Sequence, residues 1–150
     1  ENITNPNKLK EIVKALNLIN RNQLVIASLL PATIKYLRDA GVETNFTIIP
    51  NVNYFDMVEL LRSCKIVLTD SGEVQKEAFF FGKCCVTLKQ DTEWIELIQN
   101  GFNMLGSSDS EFILIAYNEM INRKPNFSID LYGNGKASER IAEILENWNG

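Results

Sequence analysis

The chain contains no histidine. Within these 150 residues that excludes a Ser-His triad, a His-ligated zinc site and a histidine general base. Cysteine is nearly as scarce. The three present, Cys64, Cys84 and Cys85, have no metal-binding spacing, and the adjacent pair points to opposite faces of any strand that holds it. An odd count suits reduced, buried thiols in a cytoplasmic protein. Positive charge is also short. Lys and Arg total 15 against 19 Asp and Glu, for a net charge of −4 and a pI of about 4.9. That argues against a nucleic-acid partner, whose phosphates are held mainly by Lys and Arg. An anionic ligand must then be held by local groups such as backbone N–H donors. No apolar run approaches the roughly 20 residues of a membrane span. Residues 1–20 also lack the shape of a signal peptide, so the expectation is no membrane partner.

What is present describes a globular chain. Hydrophobic residues make up 45% and charged residues 23%, enough for one domain with one core. Helix and strand patterns alternate. Pro6 precedes Leu9, Ile12, Val13, Leu16 and Ile19 at helical spacing. Gln23–Ser28 is a short apolar strand, Pro31–Gly41 a helix ended by Gly41, and Asn45–Pro50 the next strand. Asn53 is positioned to cap a helix reaching Cys64. Lys65–Asp70 and Cys84–Leu88 read as strands around a helix. A short helix capped by Thr92 and closed by Gly101 then leads to a weaker strand at Phe102–Gly106. Helices follow from Asp109 and near Gly135, separated by a loop with Pro125 and an Asn-Gly pair. Five short strands alternating with helices imply a parallel sheet covered on both faces: an α/β, Rossmann-like, three-layer domain. Ligands of such sheets sit beyond the carboxyl ends of the strands. That selects residues 28–33, 50–57, 69–73 and 88–93.

One of those segments, Thr69-Asp70-Ser71-Gly72-Glu73, joins a strand to a helix. The first amides of a helix have no internal partner and its dipole favours negative charge, so Ser71 and Gly72 can seat a phosphate. The same residues equally describe an ordinary Asp or Ser N-cap with solvated glutamates. On the helix, Val74, Ala78 and Phe81 share one face and Glu73, Glu77 and Phe80 another. Glu93, Glu96 and Asp91 read as complements to a helix dipole, and Trp94 and Trp148 as packing anchors.

Around this turn the chain resembles the C-terminal half of the non-hydrolysing UDP-N-acetylglucosamine 2-epimerases. The resemblance is carried by Asp70-Ser71-Gly72, Gln75-Lys76-Glu77-Ala78 and Gly82-Lys83. The segment Leu88–Gly106 and the terminal stretch Tyr132–Leu145 extend it, and Glu1-Asn2 matches the end of a His-Arg-x-Glu-Asn motif. It implies one half of a GT-B fold: residues 1–150 as a C-terminal nucleotide-binding domain, with an N-terminal domain absent from this sequence. The implied substrate is a UDP-sugar, isomerised from UDP-GlcNAc to UDP-ManNAc in the intact protein. The implied substrate-binding residues are Ser71 and Gly72 for the diphosphate, Glu77 for the ribose, Met57 at the uracil, and Glu73 and Asn2 beside them. No catalytic residue, no metal ligand and no cofactor falls in this chain, so it is expected to be inactive alone. The intact protein is expected to be a cytoplasmic homodimer.

Departures from the family pattern are equally legible. Glu73 stands where a second glycine is usual; it either pairs with Lys76, three residues on, or faces solvent. Leu30-Pro31-Ala32-Thr33 replaces His-Pro-Arg-Thr, Met57 stands where an aromatic residue is usual, and Lys89 replaces an arginine. These changes raise an alternative, a non-catalytic binding or scaffold domain that has lost tight nucleotide binding. The apolar stripe Ile141, Ile144, Leu145 and Trp148 on the terminal helix has no evident partner within the chain.

Overall fold

Start and stop signals place most elements where the periodicity puts them. In the computed structural model, which describes residues 5–148, Asn5 caps α1 (Pro6–Asn20) by accepting from the amides of Asn7 and Lys8. After β1 (Ile26–Leu29), Pro31 opens α2 (Pro31–Asp39), and Gly41, at φ +60°, turns the chain out of it. β2 (Thr47–Pro50) leads to α3 (Tyr54–Ser63), where Asn53 accepts from the Asp56 amide at 3.0 Å as N-cap. β3 (Val67–Thr69), α4 (Gly72–Phe80) and β4 (Cys85–Thr87) follow. The chain then runs through α5 (Ile95–Gln99), β5 (Asn103–Leu105), α6 (Ser110–Met120) and α7 (Ala137–Glu146).

All strand pairs are parallel, as the alternation requires, but the strands form two sheets where one was expected. β1 pairs with β2, Ile26 opposite Thr47, while β4 lies between β3 and β5. β1 and β3 therefore each have a single strand partner. Helix α1 bridges the two sheets. Its Leu9 and Val13 pack with Leu37 and Phe46 over β1–β2, and its Ile12 and Ala15 pack with Val86, Ile113 and Met120 over β4. Leu16 touches both clusters. Burial follows pairing. Every residue of β4 is buried, whereas Ile26 in β1 is 48% exposed.

The opposite face of the three-stranded sheet is closed by α3 and α4. Val74 of α4 and Phe81, its C-cap residue, pack around buried Ala78, with Leu61, Val67 and Cys85, on the face the helical spacing assigned to the sheet. Phe79 points elsewhere, into an aromatic cluster with Phe102, Phe127 and Tyr132. Desolvation raises the half-buried Cys64 thiol and the buried Cys84 thiol, and pushes Cys85 up to about 12, which disfavours the nucleophilic thiolate. Helix α7 has no buried residue, and Trp148 is 73% exposed. Among the described residues no helix is long and apolar enough to cross a membrane, and no cluster of side chains could hold a metal ion.

Candidate functional site

β3 delivers the chain to the Ser71 turn. Thr69 Oγ1 accepts from the Ser71 amide at 3.1 Å. The extended Ser71 then caps α4 by accepting from the Val74 amide at 3.4 Å. The Ser71 carbonyl takes the Gln75 amide at 3.2 Å. The amides of Gly72 and Glu73, the first two of α4, find no acceptor among the described residues. They stand at the positive end of a nine-residue helix, beyond the carboxyl end of a parallel strand. Two free donors and a dipole end facing out of a sheet are what a phosphate group needs.

Of the residues singled out from the sequence, Ser71, Gly72 and Glu73 form this turn. Glu77 lies one helical turn further on and is half-buried. Met57, on α3, packs half-buried against the same cluster as Val74 and so lies alongside α4. Asn2 falls outside the described residues.

Two expectations need correction. Lys76 does not reach Glu73. Its ammonium sits over the rings of Trp94 and Tyr132, 4.4 and 4.5 Å from their centres, because two electron-rich faces hold a cation better than one mobile surface carboxylate. Glu73 is therefore left exposed and without that counter-charge. Thr92 does not cap α5, which begins three residues later behind Trp94. The Thr92 hydroxyl instead donates to Gln75 Oε1 at 2.7 Å and accepts from the Trp94 amide at 3.2 Å, turning inward toward a buried acceptor.

Gly72 also has a second role. A Cβ built there would stand 3.3 Å from Trp94 Nε1 and 3.4 Å from a Glu93 carboxylate oxygen. The missing side chain thus makes room for Trp94, whose indole N–H donates to the Gly72 carbonyl at 2.8 Å. It also brings the Glu93 carboxylate beside the turn. Two carboxylates, Glu73 and Glu93, consequently flank the free amides. At an effective dielectric of about 20, each unit charge 4 Å from a phosphate opposes it by roughly 4 kcal/mol, less where water and salt screen the pair.

Reading by residue type took Gln75 only as part of the Gln75-Lys76-Glu77-Ala78 motif, took Trp94 only as a packing anchor, and gave Tyr132 no role. Gln75 is fully buried, four residues after Ser71 and one turn up the same helix. Tyr132 donates to Glu96 at 2.7 Å and steadies Trp94 edge-on. Burial, and then the Glu96 carboxylate, push the Tyr132 hydroxyl well above its usual range, so it remains a donor. A shallow depression of about 230 Å³ lies at the carboxyl ends of β4 and β5, lined by Lys89, Gln90, Leu105, Ser107 and Phe112. It brings one cation to the same edge of the sheet as the turn. A larger groove of about 390 Å³, between Phe80, Phe127 and Ile129, sits at the far end of α4.

The family profile of UDP-N-acetylglucosamine 2-epimerase matches residues 1–146. A UDP-2,3-diacetamido-2,3-dideoxy-D-glucuronate 2-epimerase from Pseudomonas aeruginosa is 42% identical over 146 residues, covering 97% of this chain and 41% of the relative. A UDP-N-acetylglucosamine 2-epimerase from Methanocaldococcus jannaschii is 34% identical, covering 97% of this chain and 42% of the relative. The crystal structure of the M. jannaschii UDP-GlcNAc 2-epimerase in complex with UDP-GlcNAc and UDP superposes with a TM-score of 0.85 at 33% identity, over 97% of this chain and 42% of that one. The chain spans about two fifths of the length of the relatives it matches. It belongs to the UDP-N-acetylglucosamine 2-epimerase family.

Proposed function

We propose that this chain, as a member of that family, serves as the C-terminal, nucleotide-gripping domain of a longer two-domain GT-B protein that epimerises C2 of a UDP-sugar. The observation that carries the reading is the pair of acceptor-less amides at Gly72 and Glu73, at the head of α4 and beyond the carboxyl end of β3. In this reading the Ser71–Gly72 turn takes the diphosphate, Glu77 accepts from the ribose hydroxyls and Met57 covers the uracil, with Glu73 and Asn2 at the margin. The groups that move the C2 proton and accompany departure and return of UDP belong to the N-terminal domain. The working protein is a cytoplasmic homodimer. Relatives named for UDP-GlcNAc and for UDP-2,3-diacetamido-2,3-dideoxy-D-glucuronate each match 97% of this chain. What their substrates share is UDP on a sugar epimerised at C2, and that is the class assigned.

Calorimetric titration of residues 1–150 with UDP and with UDP-GlcNAc tests it. Low-micromolar binding supports the assignment, and no heat at millimolar ligand overturns it. The chain alone should form no UDP-ManNAc. A second reading, a scaffold domain that kept the fold and lost the ligand, is favoured by one observation: the Glu73 and Glu93 carboxylates at the mouth of the turn. Recovery of UDP binding on removing either charge would fit that history.

A further inference from the structure

The Ser71 turn is held from inside the protein by a side chain with no access to ligand. Gln75 has 0% exposure. Its Oε1 accepts from Thr87 Oγ1 of β4 at 3.1 Å, from Thr92 Oγ1 at 2.7 Å and from Asn103 Nδ2 of β5 at 3.3 Å, while its Nε2 donates to the Ser71 carbonyl at 3.3 Å. The amide can face only one way. A backbone carbonyl accepts and never donates, so the NH₂ must face Ser71, and the oxygen must face the three donors. Trp94 Nε1 holds the next carbonyl, that of Gly72, at 2.8 Å. Successive carbonyls of the turn are thus pinned by side chains anchored outside it, and each pinned carbonyl fixes the plane of the peptide that carries the following amide. Those amides are the ones of Gly72 and Glu73.

We infer that Gln75 is a positioning residue for anion binding at the Ser71–Gly72 turn: a buried hub that ties the turn to β4, β5 and the Thr92 loop and keeps its free amides aimed outward. The inference rests on the nucleotide-binding reading above and deepens it. Two roles need separating. A glutamine that only stabilises the fold would lower the melting temperature without changing affinity at a temperature where the protein stays folded. A positioning glutamine changes affinity there as well.

The experiment compares wild type, Gln75→Met and Val86→Ala at 10 °C. Met keeps the length and bulk of the side chain and removes both hydrogen-bonding ends. Val86 is fully buried in β4 and is absent from the turn's hydrogen bonds, so its truncation supplies a destabilised control. Urea titration verifies that each variant is folded. Then UDP affinity by calorimetry and amide exchange of Val74 and Gln75, which bond to Ser71, are read by nuclear magnetic resonance. Gln75→Met should weaken UDP binding about tenfold, the equivalent of one hydrogen bond's worth of alignment, and should speed exchange of those two amides. Val86→Ala should leave both unchanged. Wild-type affinity and unchanged exchange in Gln75→Met, or an equal loss in Val86→Ala, overturns the inference. If wild type itself fails to bind UDP, the nucleotide reading is what falls. Exchange at Val74 and Gln75 then decides alone whether Gln75 holds the turn, and unchanged rates there reject it. Should Gln75→Met not fold, Thr92→Val, which removes one of the three donors to Gln75, must show the same two effects at smaller size, and their absence rejects the hub.

Discussion

The two sheets are made of similar strands but differ in depth. β1 and β2 pair only with each other, and β1 leaves Ile26 half in solvent. β4 has a partner on each side and helices over both faces, and all three of its residues are buried. The turn with free amides projects from the deeper half, and the chain's departures at Leu30 and Ala32 lie at the carboxyl end of the shallower one. Rigidity explains the division. Amides that must point at a ligand need a frame whose side chains cannot relax, and close packing on every side supplies it.

The sharpest way to break the comparison is to truncate one residue in each half. Phe102 is fully buried and stacks within 4.8 Å of Phe79 and 4.9 Å of Phe127. Phe102→Ala should cost about 3–5 kcal/mol by urea titration. Ile26→Ala should cost under about 1 kcal/mol, since much of that side chain is already wet. Equal costs would mean the two sheets share one core.

Glycines give the next contrast. At Gly106 a new Cβ would meet Val86 Cγ1 at 2.7 Å and the Ile113 backbone at 3.4 Å, so Gly106→Ala should destabilise by about 1–3 kcal/mol through overpacking. Gly41, in the shallower half, has open space around it at φ +60°. Gly41→Ala should show only the left-handed backbone penalty, about 1–2 kcal/mol. Thermal melts of both variants check this.

Charge comes third. Glu73→Gly should tighten UDP binding by about threefold to tenfold at low salt and by less at high salt, as for a screened surface repulsion. Glu43→Gln, equally exposed but in the other half, should do nothing. No change in Glu73→Gly affinity would show that this carboxylate points away from the ligand.

The last contrast is alkaline. Cys85 is neutral up to about pH 12 when folded, against an ordinary thiol near 9.0. The unfolded chain therefore releases this proton first. The stability that comes from keeping the thiol neutral is complete below pH 9 and is lost as pH rises toward 12. The urea midpoint should fall as pH rises above about 9, and by less in Cys85→Ala.

Much of this was legible in the residues. The alternation of apolar runs and caps predicted each strand and helix, with Asn53, Gly41 and Asp109 doing what their side chains or backbone freedom suggest. The Asp70-Ser71-Gly72 turn was legible because helix starts are local. Gln75 was not. It reads as one more polar residue on α4, and its partners Thr87, Thr92 and Asn103 are 12, 17 and 28 residues away. Lys76 was misread for the same reason: Glu73 is near in sequence, but Trp94 and Tyr132 are near in space.

By itself, then, the order of residues determined the parallel α/β alternation, the seat of the turn and the lack of histidine chemistry, because periodicity, capping and composition act over a few residues. Tertiary structure alone decided that the strands divide into two sheets, that Trp94 occupies the space a side chain at Gly72 would need, and that a buried glutamine bonds the turn to β4 and β5. Those outcomes depend on which distant segments share the interior, where an unpaired polar group costs too much to leave unmet.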